Sequence, residues 1–428
     1  MFLRSQRKDV NIYLIIILII LIGKYILDTT VEILNVRYLR TALPEEFKGY
    51  YDADKYQKAQ RYLKEKVKFG LIEDAVISSF TVIFILTGGF NVIDTLARGI
   101  YAGAEIITGL IFLAILMLIW QVISIPFSVY ETFVIEAKFG FNKTTPQTFI
   151  LDIIKSWVLS AVIGAIAFSA VIWFFLKTGK LAWIYCWVAV TLFELFLLFI
   201  APVFIMPLFN KFVPLEEGDL KTAIEGYAKS QDFKMQGVFK IDASRRSTKS
   251  NAFFTGFGRT RRIALFDTLI NNHTIDELVG VLAHEIGHYK KKHILKEIVI
   301  SIFITGFMFY ILSFFLKNAG LFAAFKMENI SVYASLIFFG FLYTPLNMFF
   351  SILGNMLSRK YEYEADSYAV LTHKKPKAFI VALKKLTVDN LSNLMPHPLK
   401  VFLHYSHPPV LERIKAIKGL EQSLAYKI

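Results

Sequence analysis

Long apolar runs constrain what this chain can fold into more than any other feature of its sequence. A helix needs about 20 mostly apolar residues to cross the roughly 30 Å hydrocarbon core of a bilayer. Seven runs approach or exceed that length, which is more than the core of a soluble protein uses. They lie near Val10–Leu27, Leu71–Phe90, Ala102–Ser124, Phe149–Leu176, Leu181–Leu208, Ile294–Leu316 and Val332–Leu357. We therefore predict a polytopic α-helical membrane protein with seven transmembrane helices.

The first run has the surroundings of a signal peptide, because it follows Arg4, Arg7 and Lys8. However, no small-residue cleavage site closes it, and more apolar sequence follows Lys24. We expect the run to remain in the protein as its first helix. The chain has one cysteine, Cys186, which excludes an internal disulfide and a metal site built from cysteines.

The basic residues are unevenly distributed around the predicted spans. The chain has a formal charge of +14, and the loops after spans one, three and five share a side with the C-terminal tail. These segments hold 37 of the 48 Lys and Arg residues, so the positive-inside rule places them in the cytoplasm. We attribute the charge to topology and to anionic lipid headgroups, and we expect no nucleic acid partner.

Charged segments between the runs divide the chain into membrane and extramembrane parts. The membrane parts are residues 1–208, with the first five spans and a soluble loop at 28–70, and residues 294–357, with the last two spans. The extramembrane parts are residues 209–293 and residues 358–428, the latter largely helical. Residues 45–70 mix apolar and charged side chains at helical spacing, which favours an amphipathic helix.

The extramembrane residues 209–293 are predicted to form a small β-sheet followed by a helix. Three short segments separated by polar turns favour an antiparallel sheet: Val238–Asp242, Asn251–Phe257 and Arg262–Phe266. Thr274 and Glu277 then match a capping box, in which the hydroxyl caps the helix and the carboxylate reaches back. A helix that begins at about Ile275 must continue through His284.

That helix carries a pattern of residues suited to a zinc peptidase. His284 and His288 are four residues apart, so their side chains share one helix face at a separation that one zinc ion can bridge. Glu285 follows the first histidine and can take a proton from the attacking water. Gly287 leaves room for backbone near the metal. We predict His284 and His288 as ligands of one Zn²⁺ ion and Glu285 as the catalytic base.

A hydrolytic zinc ion needs a third protein ligand and an open position. Residues 359–366 offer three acids on a predicted helix. Glu362 and Asp366 are four residues apart and share a face, whereas Glu364 points elsewhere. We assign Glu362 as the third ligand and Asp366 as the acceptor of an N–H group of a ligand histidine, which fixes the ring's tautomer.

Peptide hydrolysis also needs a donor for the oxyanion and a surface that holds the substrate. His407, before two prolines, is the best candidate donor, with Arg413 in the following helix. The weaker alternatives are His293, His397 and His404, while His273 and His373 are interpreted as ordinary loop residues. An exposed strand edge holds a peptide by backbone pairing, and Asn251 and Ala252 precede the zinc helix at a suitable distance.

Together these residues resemble those of the type I CAAX prenyl proteases, membrane zinc metalloproteases of the gluzincin kind. The similarity extends beyond the zinc helix to Pro126–Ser128, Thr132–Glu136, Gly140–Lys143, Pro207–Phe209, Ser250–Ala252, Leu265–Leu269, Ser358–Arg359 with Glu362 and Asp366, and Ser406–Pro409. It therefore covers nearly the whole chain, in the same order and with seven spans.

The resemblance implies seven helices around a large water-filled chamber, capped by a gluzincin-like zinc domain. It implies cleavage after the cysteine of a prenylated C-terminal CAAX sequence, with a further upstream cut in some members. It also implies zinc binding by His284, His288 and Glu362, catalysis by Glu285, and substrate pairing by Asn251 and Ala252. By similarity, His407 and Arg413 support the transition state.

The sequence departs from the eukaryotic pattern in two ways. We therefore keep two alternative locations, the bacterial inner membrane and the endoplasmic reticulum. The loop between the last two spans is short, and the sequence given closes with Tyr426-Lys427-Ile428, without a Lys-Lys retrieval signal. The partners expected are a peptide or protein substrate, prenylated or not, and membrane lipid.

Two other functions compete with this interpretation. One is a membrane quality-control protease that acts on unprenylated substrates, although such relatives usually have fewer spans. The other is a transporter or channel, because Asp152, Lys155 and Glu194 lie in or beside predicted spans and charges in spans often mark a pathway.

Overall fold

The computed structural model describes residues 11–255 and 261–425, which are mostly helical. The described helices are α1 (Ile12–Arg37), α2 (Ala53–Thr87), α3 (Gly89–Ile100), α4 (Glu105–Tyr130), α5 (Pro146–Lys177), α6 (Ala182–Ile200), α7 (Met206–Phe209), α8 (Asp219–Ser230), α9 (Asp267–Asn272), α10 (Ile275–Lys290), α11 (His293–Phe315), α12 (Ala319–Ala324), α13 (Val332–His373), α14 (Pro376–Asp389), α15 (Pro398–His404) and α16 (Val410–Ala425). The strands are β1 (Phe212–Pro214), β2 (Gly237–Ile241), β3 (Ala252–Thr255) and β4 (Arg262–Phe266).

Seven of the described helices are long and apolar enough to cross a membrane: α1, α2, α4, α5, α6, α11 and α13. This confirms the seven spans predicted from the apolar runs. A single π-helical turn extends α4 through Glu131–Glu136, and another extends α6 through Ala201–Ile205. Val10 lies outside the described residues, as do the basic residues before it that suggested a signal peptide.

The seven spans are arranged as a closed ring. Each span packs on the next along the chain, with α2 touching the π-turn that extends α4, and α13 returns to α1. Only 6–17% of the most apolar window of each span is buried. A solid helical bundle would bury more of these residues, so most of them face either lipid or a space inside the ring.

One end of the ring is closed by aromatic side chains. The short helix α3, which the sequence analysis did not predict, follows Gly88, whose φ of +80° ends α2 in a left-handed turn. Phe90 of α3 packs edge-on against Phe325 and Phe338, and the last two rings stack 3.8 Å apart. These residues belong to a buried cluster that ties α1, α3, α4, α12 and α13 together.

Two of the spanning helices continue beyond the apolar region into the extramembrane part. The amphipathic helix expected at residues 45–70 is the first half of α2, which begins at Asp52 as N-cap and buries Tyr56 and Tyr62. Helix α13 has 42 residues and a length of about 60 Å. The predicted boundary at residue 358 therefore falls inside a continuous helix, which joins the last span directly to the acidic segment.

The extramembrane sheet has four strands in the order β1-β2-β4-β3. It corrects the predicted antiparallel arrangement, because β2 and β4 are parallel, with Val238 opposite Ile263. Parallel neighbours need a crossover connection, which the chain makes between the end of β2 and the start of β4, while β3 pairs on the far side of β4. Residues 256–260, which include the end of one predicted strand and most of a predicted turn, lie outside the described residues.

Helix α10 lies at the centre of the extramembrane part, packed against α8, α13 and α14. The capping box of Thr274 and Glu277 is present, which confirms the predicted start at Ile275. Apolar residues on one side of α10, including Leu282 and Ile286, share a buried core with α8 and the sheet. Because this core holds one side of α10, the opposite side, which carries the histidines, faces α13.

Candidate metal centre and active site

Close contact between α10 and α13 brings the predicted ligands together. At Gly287 a Cβ atom would lie 3.0 Å from the Cα atom of Ala365, so the helices can approach this closely only where the side chain is absent. His284 and His288 stand on the α10 side of this contact, and Glu362 stands on the α13 side.

The three side chains converge on one point. The Nε2 atoms of His284 and His288 are 3.1 Å apart. Glu362 places Oε2 3.5 Å from His284 Nε2 and Oε1 3.3 Å from His288 Nε2. A tetrahedral metal ion with bonds of about 2.1 Å holds its ligand atoms about 3.4 Å apart. The distances between these atoms therefore fit one metal ion.

The surroundings of Glu362 agree with this fit. The residue is 3% exposed, and its buried Oε2 atom accepts no hydrogen bond from the described residues. The guanidinium of Arg413, with Nη1 at 3.2 Å, is the charged group nearest to this oxygen, and a metal ion would supply the direct bond that the oxygen lacks. One carboxylate and two imidazoles are also a donor set that divalent transition metals bind. The residues present therefore fit the metal ion that this pattern implies.

Asp366 and Arg413 support His284 from behind. Asp366 Oδ1 lies 2.8 Å from His284 Nδ1, so the ring's Nε2 atom faces the cluster. Arg413 donates from Nε and Nη2 to the two oxygens of Asp366, at 2.8 and 2.6 Å. Its Nη1 atom lies 3.2 Å from Glu362. Arg413 is only 12% exposed, and its guanidinium group binds two acids that frame the histidine.

The surroundings of Glu285 and His284 shift the pKa values of both side chains. Burial raises the pKa of the Glu285 carboxyl, although the imidazoles of His284 and His288 oppose the shift. For His284, burial is the largest influence and favours the neutral ring, but the hydrogen bond with Asp366 and the negative charges of Asp366 and Glu362 together leave the pKa above its usual value. A carboxylate of raised pKa beside the cluster is suited to accepting a proton near neutral pH.

A cleft of about 410 Å³ joins these groups to the edge of the sheet. Its polar wall contains Glu285 and the three clustered residues, and its apolar wall contains Val281, Phe379 and Leu383. Asn251 and Ala252 line the same cleft, at the start of β3. Among the described residues β3 is the outer strand beyond β4, so its second edge has no strand partner there and can pair with a peptide.

His407 lies at the mouth of this cleft. Its Nε2 atom is 3.4 Å from Glu362 Oε1, and its side chain is 65% exposed. Ser406 Oγ lies 2.9 Å from its Nδ1 atom. The exposed ring can therefore reach a substrate in the cleft, whereas Arg413 is already held by acids. The structure brings all nine residues proposed from the sequence into or directly behind one cleft.

The other histidines have contacts outside the cleft. His397 caps α15, and His404 lies 3.6 Å from Asp28. His273 is buried against the carbonyl of Leu269, rather than in an open loop. His373 ends α13, near the backbone of α10.

Two of the charges that raised the transporter interpretation have structural partners. Asp152 forms a two-point ion pair with Arg246, with distances of 2.8 and 3.0 Å. Lys155 donates to the carbonyl of Leu208. These contacts fasten the beginning of α5 to α7 and to the connection between β2 and β3, so they need no pathway to explain them.

Two supports of the site were not predicted. His293 contacts both His288 and Glu364. The sequence analysis had treated His293 as a weaker alternative to His407 and Glu364 as an acid that points elsewhere. Asn390 accepts a hydrogen bond from the N–H of Ser250 and donates one to its carbonyl, both at 3.1 Å, which fixes the residue before Asn251. The spacing of five residues from His288 to His293 was the only sequence signal for the first of these contacts.

A cluster of two imidazoles and a carboxylate, with a further carboxylate beside it, defines a metallopeptidase site, and seven spans make the protein a membrane metallopeptidase. Known proteins bear this out. Residues 32–211 match the family model described as CAAX prenyl protease N-terminal, five membrane helices. Residues 214–421 match the model of peptidase family M48.

Individual relatives cover most of the chain. A rice CAAX prenyl protease 1 homolog is 36% identical over 96% of this chain and 98% of its own. The human homolog is 33% identical over 89% of this chain and 90% of its own. The crystal structure of S. mikatae Ste24p has a TM-score of 0.90 and 32% identity, and covers 95% of this chain and 99% of that chain.

The chain belongs to the M48 family of peptidases, among the CAAX prenyl protease 1 homologs. It is a multi-pass membrane metalloendopeptidase that acts on peptide or protein substrates, which excludes the transporter interpretation. The relatives described here are eukaryotic, so they lend no support to a bacterial origin.

Proposed function

We propose that this protein is a zinc endopeptidase that removes the last three residues of prenylated proteins ending in a CAAX sequence. The observation that carries the proposal is one cleft that contains the cluster of His284, His288 and Glu362, the carboxylate of Glu285 and the free edge of β3. The relatives named above are CAAX prenyl proteases, which supports the substrate class.

Zinc is the metal that this donor set favours. Two imidazoles and one carboxylate leave an open position in a tetrahedral site, as in zinc peptidases. When bound, the ion acts as a Lewis acid that polarises the scissile carbonyl and lowers the pKa of water. Asp366 holds His284 with Nε2 towards the ion, and Arg413 keeps Asp366 ionised and in place.

The remaining residues move protons and stabilise charge. Glu285 accepts the proton of the attacking water and passes it to the leaving amine. His407, at the mouth of the cleft, donates a hydrogen bond to the oxygen that becomes negative. Arg413 supports this charge from a greater distance, through its ion pairs with Glu362 and Asp366.

The walls of the cleft suit an extended peptide with aliphatic side chains. The start of β3 offers backbone groups of Asn251 and Ala252 for pairing with the substrate. Val281, Phe379 and Leu383 line the same cleft and supply apolar surface. Side chains of the two aliphatic positions in a CAAX sequence would bury apolar surface there.

The lipid of the substrate has a place next to the cleft. A cavity of about 720 Å³ shares Phe254, His288 and Ile294 with it. Leu198 of α6 and Leu295 of α11 line this cavity, as do the charged residues Asp232, Arg261, Lys290 and Lys292. A prenyl chain on the cysteine would contact the apolar side chains of this cavity while the peptide lies along β3.

The cleft faces the cytoplasm in this proposal, at the endoplasmic reticulum or a bacterial inner membrane. All the groups of the site belong to the segments that hold 37 of the 48 Lys and Arg residues. The positive-inside rule supports a cytoplasmic position for these segments.

A pair of peptides tests the substrate class. Both end in the same Cys-aliphatic-aliphatic-X sequence, and only one carries a farnesyl group on its cysteine. We expect release of the last three residues, with kcat/KM at least about tenfold higher for the farnesylated peptide, or ~1.4 kcal/mol in transition-state binding. Mass spectrometry identifies the products. Equal cleavage of the two peptides would contradict prenyl recognition and favour a quality-control protease.

A further inference from the structure

His293 lies between the candidate ligand His288 and an acid of α13. It is 1% exposed, and its Nδ1 atom is 3.1 Å from the Nδ1 atom of His288. On its other side, Nε2 is 3.1 Å from Oε2 of Glu364. The imidazole stacks on the ring of Tyr361, with centroids 4.1 Å apart and planes inclined by 9°. The ring is therefore held in one plane, with a partner at each nitrogen.

The path of the chain explains this position. Helices α10 and α11 are joined by Lys291 and Lys292 alone, and Lys292 has a left-handed φ of 57°. This turn returns the first residue of α11 to the last turn of α10, beside His288. Glu364 is two residues after Glu362 on α13, so it faces α11 while Glu362 faces the cluster.

The positions of the protons follow from the ligand role. If His288 binds the ion through Nε2, its ring is neutral and carries its proton on Nδ1. The partner of that N–H among the described residues is Nδ1 of His293, which must then be an acceptor. His293 therefore carries its own proton on Nε2 and donates it to the carboxylate of Glu364. Each nitrogen in the series has one defined role.

We propose that His293 and Glu364 form a hydrogen-bond relay that orients His288 and raises its strength as a metal ligand. The inference rests on the proposed zinc site. His293 is a positioning residue, because it acts through His288 and does not touch the substrate cleft directly.

The two ligand histidines are then supported in different ways. His284 has a carboxylate, Asp366, directly on its Nδ1 atom. His288 has an imidazole there, and the carboxylate of Glu364 follows behind it. Residues that hold a ligand histidine typically contribute about 10- to 100-fold in metal affinity or activity. We expect the contribution of His293 to metal affinity to fall within this range. The contribution of Glu364, which is one hydrogen bond further from His288, should lie near its lower end.

Metal affinity of the full-length protein tests the relay without reliance on turnover. The metal-free protein in detergent is titrated with Zn²⁺ in competition with a chromogenic chelator. His293→Phe keeps the bulk and the stacking on Tyr361 but removes both nitrogens, so we expect affinity to fall about 10- to 100-fold. His293→Gln offers a carbonyl oxygen to His288 and an N–H group to Glu364, so we expect it to restore most of the loss.

Two further variants separate the relay from a general effect on folding. Glu364→Ala leaves His293 in place, and we expect a fall of about tenfold. His273→Phe replaces another buried histidine, far from the cluster, and should not change affinity. Thermal unfolding of each metal-free variant identifies any loss of folding.

The outcomes distinguish the relay from the site on which it rests. Wild-type affinity in a folded His293→Phe variant would overturn the relay, as would a loss in His293→Gln equal to that in His293→Phe. If His293→Phe does not fold, wild-type affinity in Glu364→Ala overturns the relay. A wild-type protein that binds no zinc would instead overturn the metal site itself, and the relay with it.

Discussion

Glu362 is a buried acid surrounded by groups that favour its negative charge. The Nε2 atoms of His284, His288 and His407 lie 3.3–3.5 Å from its oxygens, and Arg413 Nη1 lies 3.2 Å away. An ionised carboxylate with 3% exposure would otherwise be strongly disfavoured. These surroundings can also bind a cation, because His284 and His288 are neutral when they act as ligands and each then offers a lone pair on Nε2.

Alanine at each of two neighbouring acids distinguishes the ligand from its support. Glu362→Ala removes one of three ligand atoms, so we predict that the protein no longer retains zinc through dialysis. Glu364→Ala removes only the end of the relay, and we predict retention with affinity about tenfold lower. Zinc analysis of the dialysed proteins gives the measurement. Equal losses in the two variants would count against the assignment of Glu362.

His407 is predicted to act on the transition state alone. His407→Phe keeps the bulk of the ring but lacks a donor, so turnover should fall by about 100- to 1,000-fold. Zinc content and KM should change little, because the side chain is 65% exposed and is not needed to close the cluster. His273→Phe is the control. If His407→Phe lost zinc, the residue would be a ligand or a support of one.

At the scale of elements, the site depends on how closely α10 approaches α13. A Cβ atom at Gly287 would lie 3.0–3.1 Å from Ala365 Cα, its carbonyl oxygen and Tyr368 Cβ. The neighbours at this position are mostly backbone, which cannot move aside as a flexible side chain can. Gly287 directly precedes His288 and follows His284 by about one turn, and Ala365 follows Glu362 by about one turn.

Alanine at this contact should separate the helices. We predict that Gly287→Ala lowers the free energy of unfolding by about 1–3 kcal/mol and weakens zinc binding, because His288 moves relative to Glu362. Gly226→Ala is the matched control: Gly226 lies in α8 with nothing near its Cβ position, and alanine there should stabilise the helix by about 0.5–1 kcal/mol. Unchanged zinc affinity in Gly287→Ala would contradict the role of the contact.

Local sequence signals were sufficient for α10 but not for the sheet. The capping box and the apolar periodicity lie within 16 residues, so they determine where the helix begins and which face carries the histidines. The parallel pairing of β2 and β4 depends on residues more than 20 positions apart, for which no local pattern exists. Strand β1 has three residues, too few to show alternation.

The same limit applies to the residues of the site. The spacing of His284 and His288, and of Glu362 and Asp366, is a helical repeat, so geometry alone suggested which residues share a face. The contact of His293 with Glu364 joins residues 71 positions apart and depends on a turn at Lys292. Neither the turn nor the partner has a pattern that could be read from the chain.

At the scale of the whole molecule, the ring of spans carries the site at one end and is closed at the other. At the closed end, buried Asp94 binds Tyr333, and Arg98 forms an ion pair with Asp94. The number of spans could be predicted because each span is one apolar run. Closure of the ring by α13 against α1 could not, because this contact joins helices about 300 residues apart in the chain, for which no local pattern exists.

Cysteine labelling tests the orientation of the ring. In a Cys186→Ala background, Lys229→Cys lies on α8 of the extramembrane part, and Lys180→Cys lies in the loop between spans four and five. Both positions are exposed. We predict that, in sealed vesicles whose cytoplasmic face points inward, an impermeant maleimide labels only Lys180→Cys, and that it labels both after permeabilisation. Labelling of Lys229→Cys alone before permeabilisation would contradict a cytoplasmic cleft.

The central claim is that peptide hydrolysis occurs at the cluster on α10 and α13, with Glu285 as its base. The most direct measurement combines the zinc content of Glu285→Gln with its rate of product formation, determined by mass spectrometry on a farnesylated CAAX peptide. Glutamine cannot accept the proton but leaves the three ligands intact, so we predict one zinc ion per chain and a rate lower by about 100- to 10,000-fold. Glu217→Gln, an exposed acid far from the cleft, should keep the wild-type rate. Near-normal cleavage by zinc-replete Glu285→Gln would contradict the account.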